Sequence, residues 1–275
     1  MKVAAVVVTF NRKELLRQCL QSLLAQTRPL DEIIVVDNAS TDGTDKMVES
    51  EYSQVTYIKL KENLGGSGGF HIGTKIAYEK GYDWIWMMDD DVFVFPDTLE
   101  KLLKEAAERD IVVIVPNQLS LNGRVNAAPL FAGGLLKRIV FAHCGFPDER
   151  FFIYWDDIEF GLRITKAGFR ITSSNSAFTR HTDWSSSPMI MRNVCGKKIK
   201  RPKYSDWKAY YLARNKIATY KVHYPWYIVL FSCIIYHLKE IIAYSLLGEY
   251  KKVYYFVLGT VHGFLNKMGK KIEPY

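Results

Sequence analysis

Residues 3–12 read VAAVVVTFNR, an unbroken apolar run that ends in a polar turn. A strand with one face in water alternates apolar and polar residues, whereas a run without alternation fits a parallel strand covered on both faces. The next stretch, RKELLRQCLQSLLAQ, spaces Leu15, Leu16, Cys19, Leu20, Leu23 and Leu24 along one side of a helix. The same pattern repeats downstream. IIVVD (33–37), VTYIKL (55–60), DWIWMM (83–88) and IVVIV (111–115) read as further strands. Between them, NASTDGT is a turn in which Ser40 or Thr41 can cap a helix running through Met47 and Val48. NLGGSGGF (63–70) leads into a helix around residues 72–78, and Asp97, with Glu100 three residues on, caps another. Strands and helices in this order predict a doubly wound α/β sheet, whose ligands sit beyond the carboxyl ends of the strands. Asn11, Asp37, Asn63 and Asp89–Asp91 all follow predicted strands, so they should converge on one cleft. Residues 117–200 are less regular, rich in Gly, Ser and aromatic residues, and should build the other wall of that cleft.

The 275 residues allow one large domain with an appendage, and an apolar share of 48% is enough for a sizeable core. A net charge of +8 favours an anionic partner: a nucleotide phosphate, a nucleic acid or an acidic membrane surface. Cys19, Cys144, Cys195 and Cys233 form no CxxC pair, which argues against a zinc site or a disulfide framework and fits a reducing compartment. The opening MKVAAVVVTFNRKELL lacks the cleavage signature of a signal peptide, so a cytoplasmic body is expected. Beyond residue 222 the composition turns aromatic, aliphatic and basic. The apolar run before His237 falls short of the ~20 residues that span a bilayer. Trp and Tyr beside Lys suit a headgroup interface instead. The expected division is a body over 1–222 and an amphipathic helical segment over 223–275, which docks on a membrane or on the body.

The stretch WIWMMDDDVFVFPD (84–97) places three carboxylates between apolar runs. In an extended chain Asp89 and Asp91 share one face and Asp90 takes the other. Two carboxylates on one face suit a hard divalent cation, which also relieves their repulsion. The bland alternative is a solvated acidic turn. NLGGSGGF allows close backbone approach to a ligand and opens a helix whose N-terminus favours anions, or it is only a flexible turn. Asp37 can accept from a base N–H or a ribose hydroxyl, or cap the helix after it. In FFIYWDDIEFGLRITKAGFR (151–170), Asp156 and Asp157 open a helix with Arg163 and Lys166 in its last turn. A carboxylate there can serve as a general base towards a sugar hydroxyl, as a cap, or as both. His181, in FTRHTDW, becomes a metal ligand only if the fold brings it to Asp91, and imidazole beside two carboxylates suits Mn²⁺ better than Mg²⁺.

Taken in order, VVVTFNR, IIVVDNASTDGT, NLGGSGGF, WMMDDDV, FAGGLLKR, FFIYWDDIEFGLR and RHTDW resemble the family 2 glycosyltransferases of the GT-A fold, over about residues 1–220. The arrangement DDDV, WDDIEFGLR and a later His looks most like bacterial galactofuranosyl- and rhamnosyltransferases, and YYLARNK (210–216) is similar to a segment of that group. The resemblance implies a mixed, mostly parallel GT-A sheet and an inverting transfer from a UDP- or dTDP-sugar. It implies that Thr9, Asn11, Arg12, Asp37, Asn63, Gly65, Gly66, Gly69 and Asp90 line the nucleotide-sugar pocket. Asp89, Asp91 and His181 would hold Mn²⁺ or Mg²⁺. Asp157 would be the catalytic base, with Asp156, Trp155 and Trp184 on the acceptor side. The aromatic and basic tail suggests a lipid-linked glycan acceptor at the inner membrane surface; no nucleic-acid partner is implied, and an oligomer is compatible. FAGGLLKR has no Trp pair of the kind some galactofuranosyl polymerases carry, which favours single addition. Two rival readings are a sugar-nucleotide nucleotidyltransferase and a non-catalytic membrane-surface binding protein. The first would place its glycines directly after the first strand, where TFNR stands.

Overall fold

The computed structural model describes residues 1–119, 125–181, 189–194 and 196–273. Strand β1 (Val3–Thr9) is buried at every position, as its lack of alternation requires. Val3, Ala5 and Val7 enter a core with Leu16, Cys19, Leu20 and Leu23. Ala4, Val6 and Val8 enter a second core with Phe70 and Ala77. Helices α1 (Lys13–Leu24), α2 (Thr44–Glu51) and α3 (Gly65–Glu79) alternate with β2 (Glu32–Asp37), β3 (Thr56–Lys59) and β4 (Trp84–Asp89). β1 pairs in parallel with both β2 and β4, and β2 with β3. The chain therefore steps outward from β1 to β3 and returns to the other side of β1 as β4. That reversal opens a crevice beyond the carboxyl ends of β1 and β4.

The sheet continues as a mixed half. It contains β5 (Val92–Val94), β6 (Val113–Leu119), β7 (Val125–Ala127), β8 (Ala132–Lys137) and β9 (Ile171–His181), with α4 (Thr98–Glu108), α5 (Arg138–Cys144) and α6 (Asp156–Lys166) between them. The spatial order is β3-β2-β1-β4-β8-β6-β9-β5, with β7 on β6. β8 is antiparallel to both neighbours, β6 and β9 are parallel, and β5 is antiparallel to β9. The hairpin β10 (Met189–Val194) and β11 (Lys197–Pro202) precedes α7 (Asp206–His223). Then α8 (Trp226–Ile228), a π-helical turn at Val229–Cys233 and α9 (Ile234–Leu247) run on as one rod, followed by α10 (Tyr250–Phe264).

Two compact units emerge. The first comprises Met1–Glu149 and Phe160–Ser185; the second comprises Arg150–Glu159 and Ser186–Tyr275. The composition change at residue 223 falls inside the second unit, where α7 packs along α10. These helices meet closely at Gly259, where a Cβ would lie 2.2 Å from the Tyr210 carbonyl oxygen.

Several local expectations are corrected. α3 starts at Gly65 rather than near residue 72, so the glycines form its first turns. Asp42, not Ser40 or Thr41, holds the start of α2, accepting from the Thr44 N–H at 3.2 Å and its hydroxyl at 2.6 Å. Leu24 is exposed at the end of α1. The apolar run before His237 does not end there: the rod Trp226–Leu247 has 22 residues, long and apolar enough to cross a membrane by length and composition. His237 is accommodated because its ring faces the Cys233 carbonyl and, at 3.2 Å, the Ala213 carbonyl. The stretch expected to be irregular contains the eleven-residue β9. Its polar sequence is explained by Glu105 of α4, which accepts from the Ser174 hydroxyl at 2.6 Å, the Ser176 hydroxyl and the N–H groups of Asn175 and Ser176. Against the upward push of burial, these donors pull Glu105 down to about 2.

Because the atom facing Gly259 is backbone and cannot rotate away, Gly259→Ala should destabilise the protein by about 1–3 kcal/mol. Urea unfolding would measure it, and an unchanged midpoint would show that the two helices can part without cost.

Candidate functional site

The carboxyl ends of β1 and β4 bring the first polar cluster together. Asp89 closes β4, Asp91 lies just before β5, and His181 is the last residue of β9. β5 pairs with β9 so that Val92 stands opposite His181, which carries the imidazole to the neighbour of Asp91. Ligand atoms of Asp89, Asp91 and His181 all lie within 4.8 Å of one another. His181 Nε2 approaches Asp91 Oδ1 to 3.2 Å. That oxygen and His181 Nδ1 are nevertheless buried without a hydrogen-bond partner among the described residues. An unsatisfied buried polar atom costs about 1–3 kcal/mol, and more when charged. Two carboxylates and an imidazole around an unsatisfied oxygen are a donor set that fits a divalent cation.

Asp90 and Asp91 form a turn between β4 and β5, so the alternation expected of an extended chain does not run through them. Asp90 accepts from the Thr9 hydroxyl at 2.7 Å and from Arg12 Nη1 at 3.2 Å. The same Arg12 nitrogen donates to Asp91 Oδ2 at 2.9 Å, leaving Oδ1 to the cluster with His181. Burial pushes Asp90 up to about 6, opposed by the charge of Arg12 and the Thr9 hydrogen bond. Thr9 and Arg12 thus bind the acidic triplet, with Arg12 half-exposed above it.

The turns after β2 and β3 form a second, connected cluster. Asp37 is fully buried; its Oδ1 accepts from the Ser40 N–H at 2.9 Å and its Oδ2 from the Tyr57 hydroxyl. Asn11 adopts a left-handed backbone with φ of 51°. Its N–H donates to the Ser40 hydroxyl at 2.8 Å, and its side-chain oxygen accepts from the Thr41 N–H at 2.7 Å. Asn63 accepts from the Gly65 N–H at 2.7 Å. Sequence reasoning gives Asn38 no role, yet its side chain joins β2 to α3, accepting from Leu64 N–H and donating to the Gly65 carbonyl, both at 3.1 Å. The available signal is its place directly after the strand-ending Asp37. Gly65 and Gly66 open α3, with the Gly65 N–H held by Asn63. Gly69 stands a turn deeper, where a Cβ would fall 2.4 Å from Val8 Cγ1. Close helix–strand packing is the reason for glycine there, rather than approach to a ligand.

The other acidic pair belongs to the second unit. Asp156 and Asp157 are the first residues of α6, Asp156 buried and Asp157 partly exposed. Burial raises the carboxyl of both, and the charge of Asp157 adds to the rise at Asp156. The approach to them is unusual: Phe152, Tyr154 and Trp155 have φ of 69°, 65° and 67°. Left-handed backbone at bulky residues costs about 1–3 kcal/mol each and concentrates at functional sites. Trp155 meets Tyr220 edge-on at 5.9 Å, and Lys216 Nζ lies 5.7 Å from its ring. Neither partner is signalled by the sequence. Trp184, expected on the acceptor side, lies outside the described residues.

The family model "Glycosyl transferase family 2" matches residues 4–154. The galactofuranosyltransferase GlfT1 of Mycolicibacterium smegmatis is 31% identical over 199 residues, covering 60% of this chain and 66% of its own. GlfT1 of Mycobacterium tuberculosis is 32% identical over 198 residues, covering 60% and 65%. The chain thus spans just under two thirds of the length of these relatives. In fold, it is similar to S. aureus TarS 1–349 in complex with UDP, with a TM-score of 0.59 over 97% of this chain and 92% of that one, at 16% identity.

Removing one member of the β4–β9 cluster should weaken divalent binding. His181→Ala is expected to lower Mn²⁺ affinity about tenfold or more by calorimetry. Equal affinity in the two proteins would exclude the cluster as the site.

Proposed function

The chain belongs to glycosyl transferase family 2, and from that premise we propose that it moves a sugar, galactofuranose or rhamnose, from a UDP- or dTDP-sugar to a hydroxyl of a lipid-linked glycan, with inversion at the transferred carbon. The observation that carries this reading is the cluster of Asp89, Asp91 and His181 within 4.8 Å at the end of the parallel sheet half. The names of the relatives support galactofuranose.

In this reading Asp89, Asp91 and His181 hold Mn²⁺ or Mg²⁺. Bound there, a divalent ion neutralises the charge that builds on a departing diphosphate. Arg12 adds positive charge beside the same carboxylates. The start of α3 favours the diphosphate, because a helix N-terminus attracts anions. Asp37, already accepting from Ser40 and Tyr57, keeps lone pairs for the base or ribose, and Asn11 and Asn63 shape the surrounding turns. Asp157 takes the proton from the acceptor hydroxyl as its oxygen attacks the anomeric carbon. The glycosidic bond breaks, and the nucleotide diphosphate leaves with the bonding electrons. One displacement inverts the centre. Burial raises the carboxyl of Asp157, which makes it a better base near neutral pH than an exposed aspartate.

The tail supports a place at the inner face of the cell membrane. Tyr227, Phe231, Ile235, Leu238 and Ile242 recur at helical spacing along the α8–α9 rod and are exposed. Tyr250, Tyr254, Val257 and Val261 do the same along α10. The other sides of these helices are buried at Cys233, His237, Tyr244 and Phe256. Lys239 and Lys251 are exposed beside the stripes. Apolar stripes with aromatic and basic borders suit an interface lined by anionic lipid.

A donor screen with UDP- and dTDP-sugars, read by nucleotide-diphosphate release, tests the transferase reading; release that is indifferent to chelator and added Mn²⁺ would defeat the metal-assisted form. Asp157→Asn should abolish transfer while leaving donor affinity unchanged, and loss of donor binding instead would remove it from the role of base. The rate should fall as pH drops through the carboxyl range of Asp157, which burial raises above that of an exposed aspartate. Phe231→Ser should reduce cosedimentation with phosphatidylglycerol vesicles, whereas equal recovery with neutral vesicles would argue against an anionic surface.

A further inference from the structure

The segment 150–155, which delivers Asp156 and Asp157 to the start of α6, is held by two buried polar side chains of α7. The two N–H bonds of Asn215 Nδ2 are shared among three backbone carbonyls: Phe151 at 2.9 Å, Ile153 at 2.8 Å and Tyr154 at 2.9 Å. Arg214 Nη2 donates to the Phe151 carbonyl at 2.8 Å and the Arg150 carbonyl at 3.2 Å. Arg214 Nη1 donates to the Gly269 carbonyl, and the Gly269 N–H returns to the Arg150 carbonyl at 2.8 Å. Both side chains are fully buried. Their orientation is settled by chemistry. Arg214 Nε can only donate, and it reaches Asn215 Oδ1 at 2.7 Å, so the amide oxygen faces the arginine and the amide N–H groups face the segment.

The three carbonyls flank the left-handed residues Phe152, Tyr154 and Trp155. Bulky side chains leave that backbone region unless the surroundings over-determine it. Within the segment itself, the Ile153 N–H donates to the Phe151 carbonyl at 2.9 Å and works to the same end. Asn215 reaches the carbonyls on either side of that short loop and ties them to one atom. It therefore sets the direction in which the chain enters α6, and with it the direction of the first-turn carboxylates.

We propose that Asn215, oriented by Arg214, is a positioning residue that fixes the left-handed turn at Phe152–Trp155 and so aims the carboxylate of Asp157 at the acceptor hydroxyl. The inference rests on the reading of Asp157 as base. Its action goes through the backbone; Asn215 touches neither substrate nor the reacting atoms.

Asn215→Asp is nearly isosteric and turns a carboxylate oxygen towards the three carbonyls. In the full chain it should lower kcat about 10²-fold, the scale of a small misplacement of a reacting group, with donor KM unchanged. Asn215→Ser, which keeps a shorter donor, should lie between it and the wild type. Ile217→Val trims the α7 core against Val229 and Cys233 without touching the segment, so it should lower the melting temperature and leave kcat intact. A folded Asn215→Asp or Asn215→Ser enzyme with wild-type kcat overturns the inference. A parallel loss of kcat and donor affinity, or an equal loss in Ile217→Val, also overturns it by showing a merely structural role. If Asp157→Asn retains transfer, the base reading falls and this role falls with it. If Asp157→Asn is inactive while Asn215→Asp is fully active, only the positioning role is lost.

Discussion

Three consecutive carboxylates at the end of a buried strand repel one another, and the first unit is arranged around relieving that repulsion. Parallel pairing of β1 with β4 places the turn after β1 beside the triplet, so Thr9 and Arg12 reach Asp90 and Asp91. In the turn between β4 and β5, Asp90 takes the Thr9 hydroxyl and shares Arg12 with Asp91. The remaining oxygen of Asp91 lies 3.2 Å from His181 Nε2 and has no hydrogen-bond partner among the described residues. Protein donors thus hold Asp90 and one oxygen of Asp91, and the other Asp91 oxygen stands in a geometry suited to a cation. The same pairing explains why β1 is apolar throughout. It must carry cores on both faces to sit between β2 and β4, where the order of the parallel strands reverses.

A second consequence is that the turns around the crevice are braced mainly by one another. Asn11 holds the Ser40 hydroxyl and the Thr41 N–H, Asp37 holds the Ser40 N–H, and Asn38 ties β2 to the first residues of α3. Together these braces join the turns after β1 and β2 to each other and to the start of α3. Turns braced this way do not need a ligand to keep their shape, which favours a largely preformed site. Gly69, packed on Val8, lets α3 lie close to β1 and keeps its N-terminus at those turns.

The strands of the first half are legible in the sequence because an unbroken apolar run of strand length, closed by a polar turn, fits little besides a buried parallel strand. The metal cluster is legible in part. The spacing of Asp89 and Asp91 is a local pattern, but the arrival of His181 depends on β9 pairing with β5, which no local feature of ITSSNSAFTRH announces. That strand is hidden because its polar residues serve a distant partner, Glu105. Sequence reasoning places the start of α3 too late because glycine weakens a helix in isolation, whereas here packing against Val6 and Val8 rewards its small size. Asp156 and Asp157 open a helix, as their pairing with Arg163 and Lys166 suggests. The left-handed approach to them is not readable, since Phe, Tyr and Trp are residues that avoid that conformation.

Helix α7 shows how such a conformation is sustained. Most of its circumference is buried, yet Arg214, Asn215, Thr219 and His223 lie among its buried residues. A buried helix with apolar residues at those positions would be simpler to stabilise, because buried polar groups are tolerated only when matched. Arg214 and Asn215 are matched by backbone carbonyls of the segment before α6, and His223 approaches Glu159 within α6 at 3.2 Å. Both flanks of Asp156 and Asp157 are therefore held from one helix. A carboxylate raised by burial has a strong tendency to rotate towards water and recover its hydration. Fixing the backbone on either side of it is the direct physical means of keeping it buried and aimed.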